Sequence, residues 1–305
     1  MGGIDMAMQP VTLKNCDIRR ESPVPEHAES LLPAEKKWKL VWHDEFDGNA
    51  LDESKWNFRT YFWGKKSPTW IEHEGITVSD GSIKMNLVRK GDDFYSSHLQ
   101  TGGMVFDKPK DPNARFWPFG KKDPYKFMHS FGYYECRCRL PKNAGWHAAF
   151  WLQAPGIGSH PDAAVAGVEC DIMENYRQHT EGTIICGNGW GGYGAESQWA
   201  GHFGFPYEET EDGWHYYGVD WSEDGYTFYA DGKLVGRQAP PQCPVSRIEQ
   251  FILISTECHG YNRVFGQRGE AGENSAKPTA VPELLAAKLP DCFEVDFVRV
   301  YDEVK

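Results

Sequence analysis

Residues 167–176 read G-V-E-C-D-I-M-E-N-Y, with an apolar row at Val168, Cys170 and Ile172 interleaved with carboxylates at Glu169 and Asp171. Strand side chains alternate between two faces, so this period of two predicts a β-strand with one face in a core and both acids on the other. Glu174, five residues after Glu169, falls on the wrong face of a regular strand. One extra residue between Asp171 and Glu174 restores its phase, which is what a β-bulge supplies, and Ile172-Met173 is the expected place for it. Three acids then project into the same space. A polar, solvated face of an antiparallel strand is the bland alternative. The flanking apolar row and the aromatic-rich composition favour a site that uses the charge.

Outward from this strand the same period recurs. Trp38 to Asp44 alternates and then turns at Asp47-Gly48; Gly75 to Leu87 gives two short strands around Ser79-Asp80-Gly81, a hairpin signal. His129 to Leu140 and Trp146 to Gln153 read as interior strands, followed by Trp214 to Trp221, Gly225 to Ala230, a turn at Asp231-Gly232, Phe251 to Thr256 and Phe293 to Tyr301. Helical periodicity is confined to Val281 to Lys288. An all-β sandwich of two antiparallel sheets follows, and 305 residues suffice for one large core. Residues 1–36, with Pro23, Pro25 and Pro33 and little periodicity, are expected to be a loosely docked extension, and residues 37–305 the folded domain. Asp107 to Phe127 and Asn262 to Pro290 resist strand assignment and are expected to be long loops walling a cleft.

The 44 acidic residues outnumber the 32 basic ones, which argues against a phosphate-backbone partner and for a neutral ligand. Twelve tryptophans and fourteen tyrosines suit both a core and the apolar faces of sugar rings. None of the eight cysteines forms a C-x-x-C pair, so buried reduced thiols are expected rather than a zinc or redox site. The first ten residues lack a basic-then-apolar leader, and no run is long enough to cross a bilayer. The expectation is a soluble monomer with no visible export signal, no membrane partner and no nucleic-acid partner.

Paired carboxylates about 5 to 5.5 Å apart on one face are the equipment of a retaining glycosidase, in which one attacks the anomeric carbon and the other protonates the leaving oxygen. Around them, W-K-L-V-W-H-D-E-F-D-G-N-A-L-D-E-S-K-W from Trp38, F-G-Y-Y-E-C-R-C-R-L-P-K from Phe131, H-A-A-F-W-L from His147 and F-E-V-D-F-V-R-V-Y-D from Phe293 occur in order with E-x-D-x-x-E. This set resembles glycoside hydrolase family 16, the laminarinase, lichenase and agarase group, from about Trp38 to Tyr301. The resemblance implies a concanavalin A-like β-jelly roll with a catalytic cleft on its concave face. It also implies that Glu169 is the nucleophile, Glu174 the general acid/base and Asp171 the assisting carboxylate. Chemistry agrees, because two adjacent acids cannot easily both ionise.

Candidate substrate residues are Trp146 and Trp151, whose spacing sends one to the cleft and the other to the core, and Trp190 and Tyr193 on a Gly-rich loop. Asn175 and His259 are candidate hydroxyl partners. The resemblance further implies a structural Ca2+ away from the cleft, held by Glu45, the Gly81 carbonyl and Asp296, with oxygen ligands suited to a hard cation; surface carboxylates are the alternative. No other cofactor is expected.

Two departures bear on specificity. F-W-G-K-K-S-P-T-W-I-E-H-E from Phe62 replaces a laminarinase-like W-G-N-x-E-x-Q-x-Y-T stretch, and S-H-P-D-A-A-V-A-G-V-E replaces the usual W-P-x-x-G-E lead-in to the nucleophile. The expected activity is endo-acting retaining hydrolysis of β-1,3- or mixed-linkage β-1,3-1,4-glucan. An algal galactanase, a transglycosylase on the same carboxylates and a lectin-like module are the alternatives.

Overall fold

The computed structural model describes residues 8–62, 65–66, 70–106, 119–121, 123–176, 182–192, 196–258 and 282–305. Two large sheets carry the fold. In the first, hydrogen-bonded neighbours run Met8–Pro10, Gln198–Pro206, Thr183–Trp190, Val168–Tyr176, His147–Gln153, Phe251–Glu257, His98–Gln100 and Asn57–Phe58. In the second they run Lys14–Asn15, Lys233–Gln238, Gly225–Ala230, His215–Ser222, Gly132–Arg139, Cys292–Glu303, Ser82–Asn86 and Ile76–Ser79, with Trp38–Asp44 also pairing Cys292–Glu303. Apart from the Met8–Pro10 edge, the pairings within both sheets are antiparallel. This is the expected jelly-roll sandwich. No helix among the described residues is long and apolar enough to cross a membrane.

The core lies between the sheets and is supplied by the alternate residues that the sequence marked. Phe150, Leu152, Cys170, Ile172, Met173, Ile252 and Ile254 from the first sheet meet Tyr134, Cys136, Val219, Phe228, Val298 and Val300 from the second, all within one buried cluster. Each fully buried side chain of the Val, Leu, Ile or Phe type contributes about 1.5–3 kcal/mol, so this seam supplies the main driving force of the fold. Six of the eight cysteines are buried, and all eight are free thiols. Both foreseen tight turns form. Asp80 and Gly81 have φ of 55° and 68°, and Asp231 and Gly232 have 49° and 71°, the left-handed pair that suits a two-residue hairpin to twisted strands.

The loosely docked N-terminal extension is a correction. Met8–Pro10 adds a parallel strand to one edge of the first sheet, and Lys14–Asn15 adds an antiparallel one to an edge of the second. A hairpin of Ile18–Glu21 and Ser30–Pro33 follows, with Leu31 and Leu32 buried. Polar contacts fasten it. Arg299 donates to the Ala28 carbonyl and the Ser30 hydroxyl at 2.9 and 2.8 Å, and the Leu31 N–H donates to Glu135 Oε1 at 2.8 Å. Proline and polar residues hid this docking, because its hydrogen bonds go to distant strands rather than to a local period.

Burial pushes the Glu135 carboxyl up to about 7, against the Ser30 hydroxyl, the Leu31 N–H and the Arg299 charge, which favour its anion. A carboxyl whose folded value lies above its unfolded 4.5 withdraws stability as pH rises from 4.5 towards about 7. Glu135→Gln removes that loss. Thermal melts of wild type and variant should therefore diverge in the variant's favour across that interval and run parallel above it.

Candidate active site

The Val168–Tyr176 strand has the bulge where expected. Against Thr183–Trp190, Glu169 pairs Gly189, Asp171 pairs Gly187 and Glu174 pairs Ile185, so Ile172 and Met173 together face the single position of Cys186. Against His147–Gln153, Asp171 pairs Trp151 and Met173 pairs Phe150, which leaves Ile172 as the extra residue. Val168, Cys170, Ile172 and Met173 enter the core, while Glu169, Asp171 and Glu174 share the outer face of the sheet. All three acids are at least nine-tenths buried.

Neighbouring strands dress each acid differently. Ala149, Trp151 and Gln153 share the acids' face, and Gln153 Nε2 donates to Glu169 Oε2 at 3.0 Å. Arg59 NH1 donates to Gln153 Oε1 at 3.1 Å, and its guanidinium lies over the Trp151 ring at 5.7 Å. Arg59 is fully buried, which draws its pKa down to about 10 against the charges of Glu169 and Glu257. It remains a cation at neutral pH. His147 Nε2 stands 3.3 Å from Glu174 Oε1. His202 Nε2 stands 3.7 Å from Asp171 Oδ2 and 4.0 Å from Glu174 Oε2.

Two glycines make this crowding possible. A Cβ on Gly189 would lie 2.8 Å from the Trp199 ring, and one on Gly187 would lie 3.2 Å from His202 Cδ2. With no side chains there, Trp199 and His202 of the Gln198–Pro206 strand lie across the Thr183–Trp190 strand towards the acids, their rings 4.9 Å apart.

Electrostatics divide the acids. Burial raises the Glu169 pKa well above its usual value, as do the charges of Asp171 and Glu174, while Gln153 and Arg59 oppose the rise. Asp171 is raised by burial and then by Glu174. Burial lowers His202, against Glu174 and Glu169. Mutual repulsion keeps the three acids from ionising together, and the Arg59–Gln153 relay reaches only Glu169. The arrangement offers an oriented, cation-supported Glu169 beside Asp171, whose ionisation is disfavoured by burial and by Glu174.

The other expected residues divide. Trp151 lies on the acids' face, its Nε1 donating to Ser255 Oγ at 3.0 Å. Trp146 is corrected: it is 1% exposed and packs with Leu87, Phe94, Cys258 and Leu284. Trp190 ends the Thr183–Trp190 strand instead of sitting on a loop, and it packs on the main core opposite Val168. Asn175 pairs Ala148 and Ile184, both core-facing, so its side chain leaves the acids' face. Tyr193 and His259 lie outside the described residues. Arg59, His147, Gln153, Trp199 and His202 escaped notice, although the Q at the end of H-A-A-F-W-L-Q has the period that points it at Glu169.

Two of the three expected calcium ligands have arginine partners. Arg299 grips both oxygens of Glu45, Nε to Oε1 at 2.9 Å and NH2 to Oε2 at 2.7 Å. Asp296 Oδ2 accepts from Arg137 at 2.7 Å. Both carboxylates already have a guanidinium beside them, and Gly81 sits in the hairpin turn that precedes Ser82–Asn86, the strand that pairs Cys292–Glu303. Among the described residues, the donors grouped closely enough for an ion are Asp171, Glu174 and His202.

The family model for glycosyl hydrolases family 16 matches residues 118–244. The chain is 27% identical over 298 residues to glucan endo-1,3-beta-glucosidase A1 of Niallia circulans, covering 89% of this chain and 39% of that relative's length. It is 23% identical over 308 residues to beta-porphyranase B of Zobellia galactanivorans, 89% of this chain and 92% of the relative. The laminarinase of Flavobacterium sp. UMI-01 shares the fold with a TM-score of 0.61 at 20% identity, over 87% of this chain and 100% of that one. Through this match and these relatives the chain is similar to enzymes of glycoside hydrolase family 16.

Arg59→Met should lower kcat and move the acid limb of the kcat/KM profile to higher pH, because the cation that favours ionised Glu169 is gone; a loss of packing alone lowers activity without moving the limb. With Glu45 and Asp296 held by arginines, a chelator should leave the melting temperature unchanged, as differential scanning fluorimetry will show.

Proposed function

We propose that the protein is an endo-acting, retaining β-glycanase that cleaves β-1,3- or mixed-linkage β-1,3-1,4-glucan by double displacement. The observation that carries this reading is the bulge at Ile172-Met173, which brings Glu174 to the face of Glu169 and Asp171. In the first step Glu174 donates its proton to the glycosidic oxygen as Glu169 attacks the anomeric carbon, forming a glycosyl ester and freeing the sugar beyond the break. In the second, Glu174 takes a proton from water, which attacks the same carbon and releases Glu169.

Each neighbour has a part. Gln153 orients Glu169 through one of its oxygens, and Arg59 behind it supports the negative charge the nucleophile needs. Asp171 stands between the two working acids, its ionisation disfavoured by burial and by Glu174. His147 sets the rotamer of Glu174. Trp151 and Trp199 give flat apolar faces near the acids, suited to a pyranose ring. The first relative's printed activity supports a β-1,3-glucan. A galactan is the second reading, favoured by the beta-porphyranase relative that the chain covers along 92% of its length.

Glu169→Gln and Glu174→Gln should each reduce turnover, with Glu174→Gln losing about 100- to 10,000-fold. On an activated aryl glycoside, azide should rescue Glu169→Ala and give the inverted glycosyl azide, and rescue Glu174→Ala with retention. Full activity in either Gln variant contradicts the assignment. Incubation with β-1,3-glucan, mixed-linkage glucan, agar, porphyran and carrageenan, followed by identification of the released oligosaccharides, tests the substrate.

A further inference from the structure

His202 is 1% exposed, and neither ring nitrogen has a hydrogen-bond partner. An imidazole in such a place ordinarily donates or accepts at least once. Its Nε2 faces Asp171 Oδ2 at 3.7 Å and Glu174 Oε2 at 4.0 Å, beyond hydrogen-bond range on both counts. The three donor atoms lie within 4.8 Å of one another. Donors around a tetrahedral zinc, with bonds of about 2.0–2.1 Å, stand about 3.4 Å apart. Small side-chain rotations would close these gaps. His202 lies over side-chain-free Gly187, which lets its ring stand close to the acids.

We propose that Asp171, Glu174 and His202 form a divalent transition-metal site of the zinc class within the cleft, and that occupancy switches the catalytic centre off. One imidazole and two carboxylates suit zinc better than calcium or magnesium, which prefer oxygen alone. A dication also relieves the repulsion between Asp171 and Glu174. The fourth position is left to a water or a sugar hydroxyl from the cleft, as at zinc sites with three protein ligands. Metal on Glu174 Oε2 takes the oxygen needed for proton transfer, so inhibition should be reversible by chelation. This last consequence rests on the glycanase reading; the binding itself does not.

The test is calorimetric titration of Zn2+ into the full chain, previously treated with a chelator and freed of it, with Co2+ absorption as a second readout of the ligand field. One site per chain is expected. His202→Gln should weaken it at least tenfold, Asp171→Asn should weaken it also, and exposed His160→Gln should leave it unchanged. Mg2+ should give no binding heat. Zinc should inhibit polysaccharide cleavage with a midpoint matching the binding constant, and chelator should restore activity. The proposal is overturned if wild type shows no site, or if His202→Gln binds zinc as wild type does. A well-folded chain that binds zinc in this way but cleaves no glycan would leave the site standing and refute the glycanase reading.

Discussion

One residue too many in a single strand is the constraint on which the site depends. The Val168–Tyr176 strand must keep its apolar row against the second sheet, since those side chains sit at the centre of the core. It must also show three acids to the outside, and a regular strand cannot do both with this spacing. The bulge reconciles them. Ile172 and Met173 both turn inward and Glu174 returns to the outer face, so the cost of a broken ladder is met by an extra buried side chain.

Crowding of acids then sets what surrounds them. Burial and mutual repulsion both oppose ionisation, yet the nucleophile of such a pair must carry charge. The fold answers with a fully buried guanidinium linked to Glu169 through the Gln153 amide. Similar logic operates on the outer face of the second sheet, where Arg299 satisfies Glu45 and ties the N-terminal hairpin to a central strand. Removing one member of a buried pair of this kind costs about 3–5 kcal/mol, so these arginines are structural elements as much as charges.

The sequence made some of this plain and concealed the rest for physical reasons. Alternation exposed the acid strand and its bulge, because core and surface rows keep a period of two up to Ile172. The D-G turns were legible because left-handed pairs accept few other residues. The Gln198–Pro206 strand was not, since glycines at 201 and 204 dilute its apolar pattern and its register comes from neighbours far away in the chain. For the same reason Trp199 and His202 were missed while Trp190, within a conspicuous glycine run, drew attention and proved to be packing. Arg59 lies beside a two-residue strand with no period to read. The arginine partners of Asp296 and Glu45 were hidden for the same reason, because Arg137 and Arg299 reach them only when strands distant in the chain are laid side by side.

The central claim is that Glu169 and Glu174 act as nucleophile and proton carrier from one face of one strand. It is tested most directly by trapping the covalent intermediate with an activated 2-deoxy-2-fluoro glycoside of the sugar that the enzyme accepts, then mapping the modified peptide by mass spectrometry. The account predicts a single glycosyl group on Glu169. A label on Glu174, on Asp171 or on any residue outside this strand, or cleavage that inverts the anomeric centre, would contradict it.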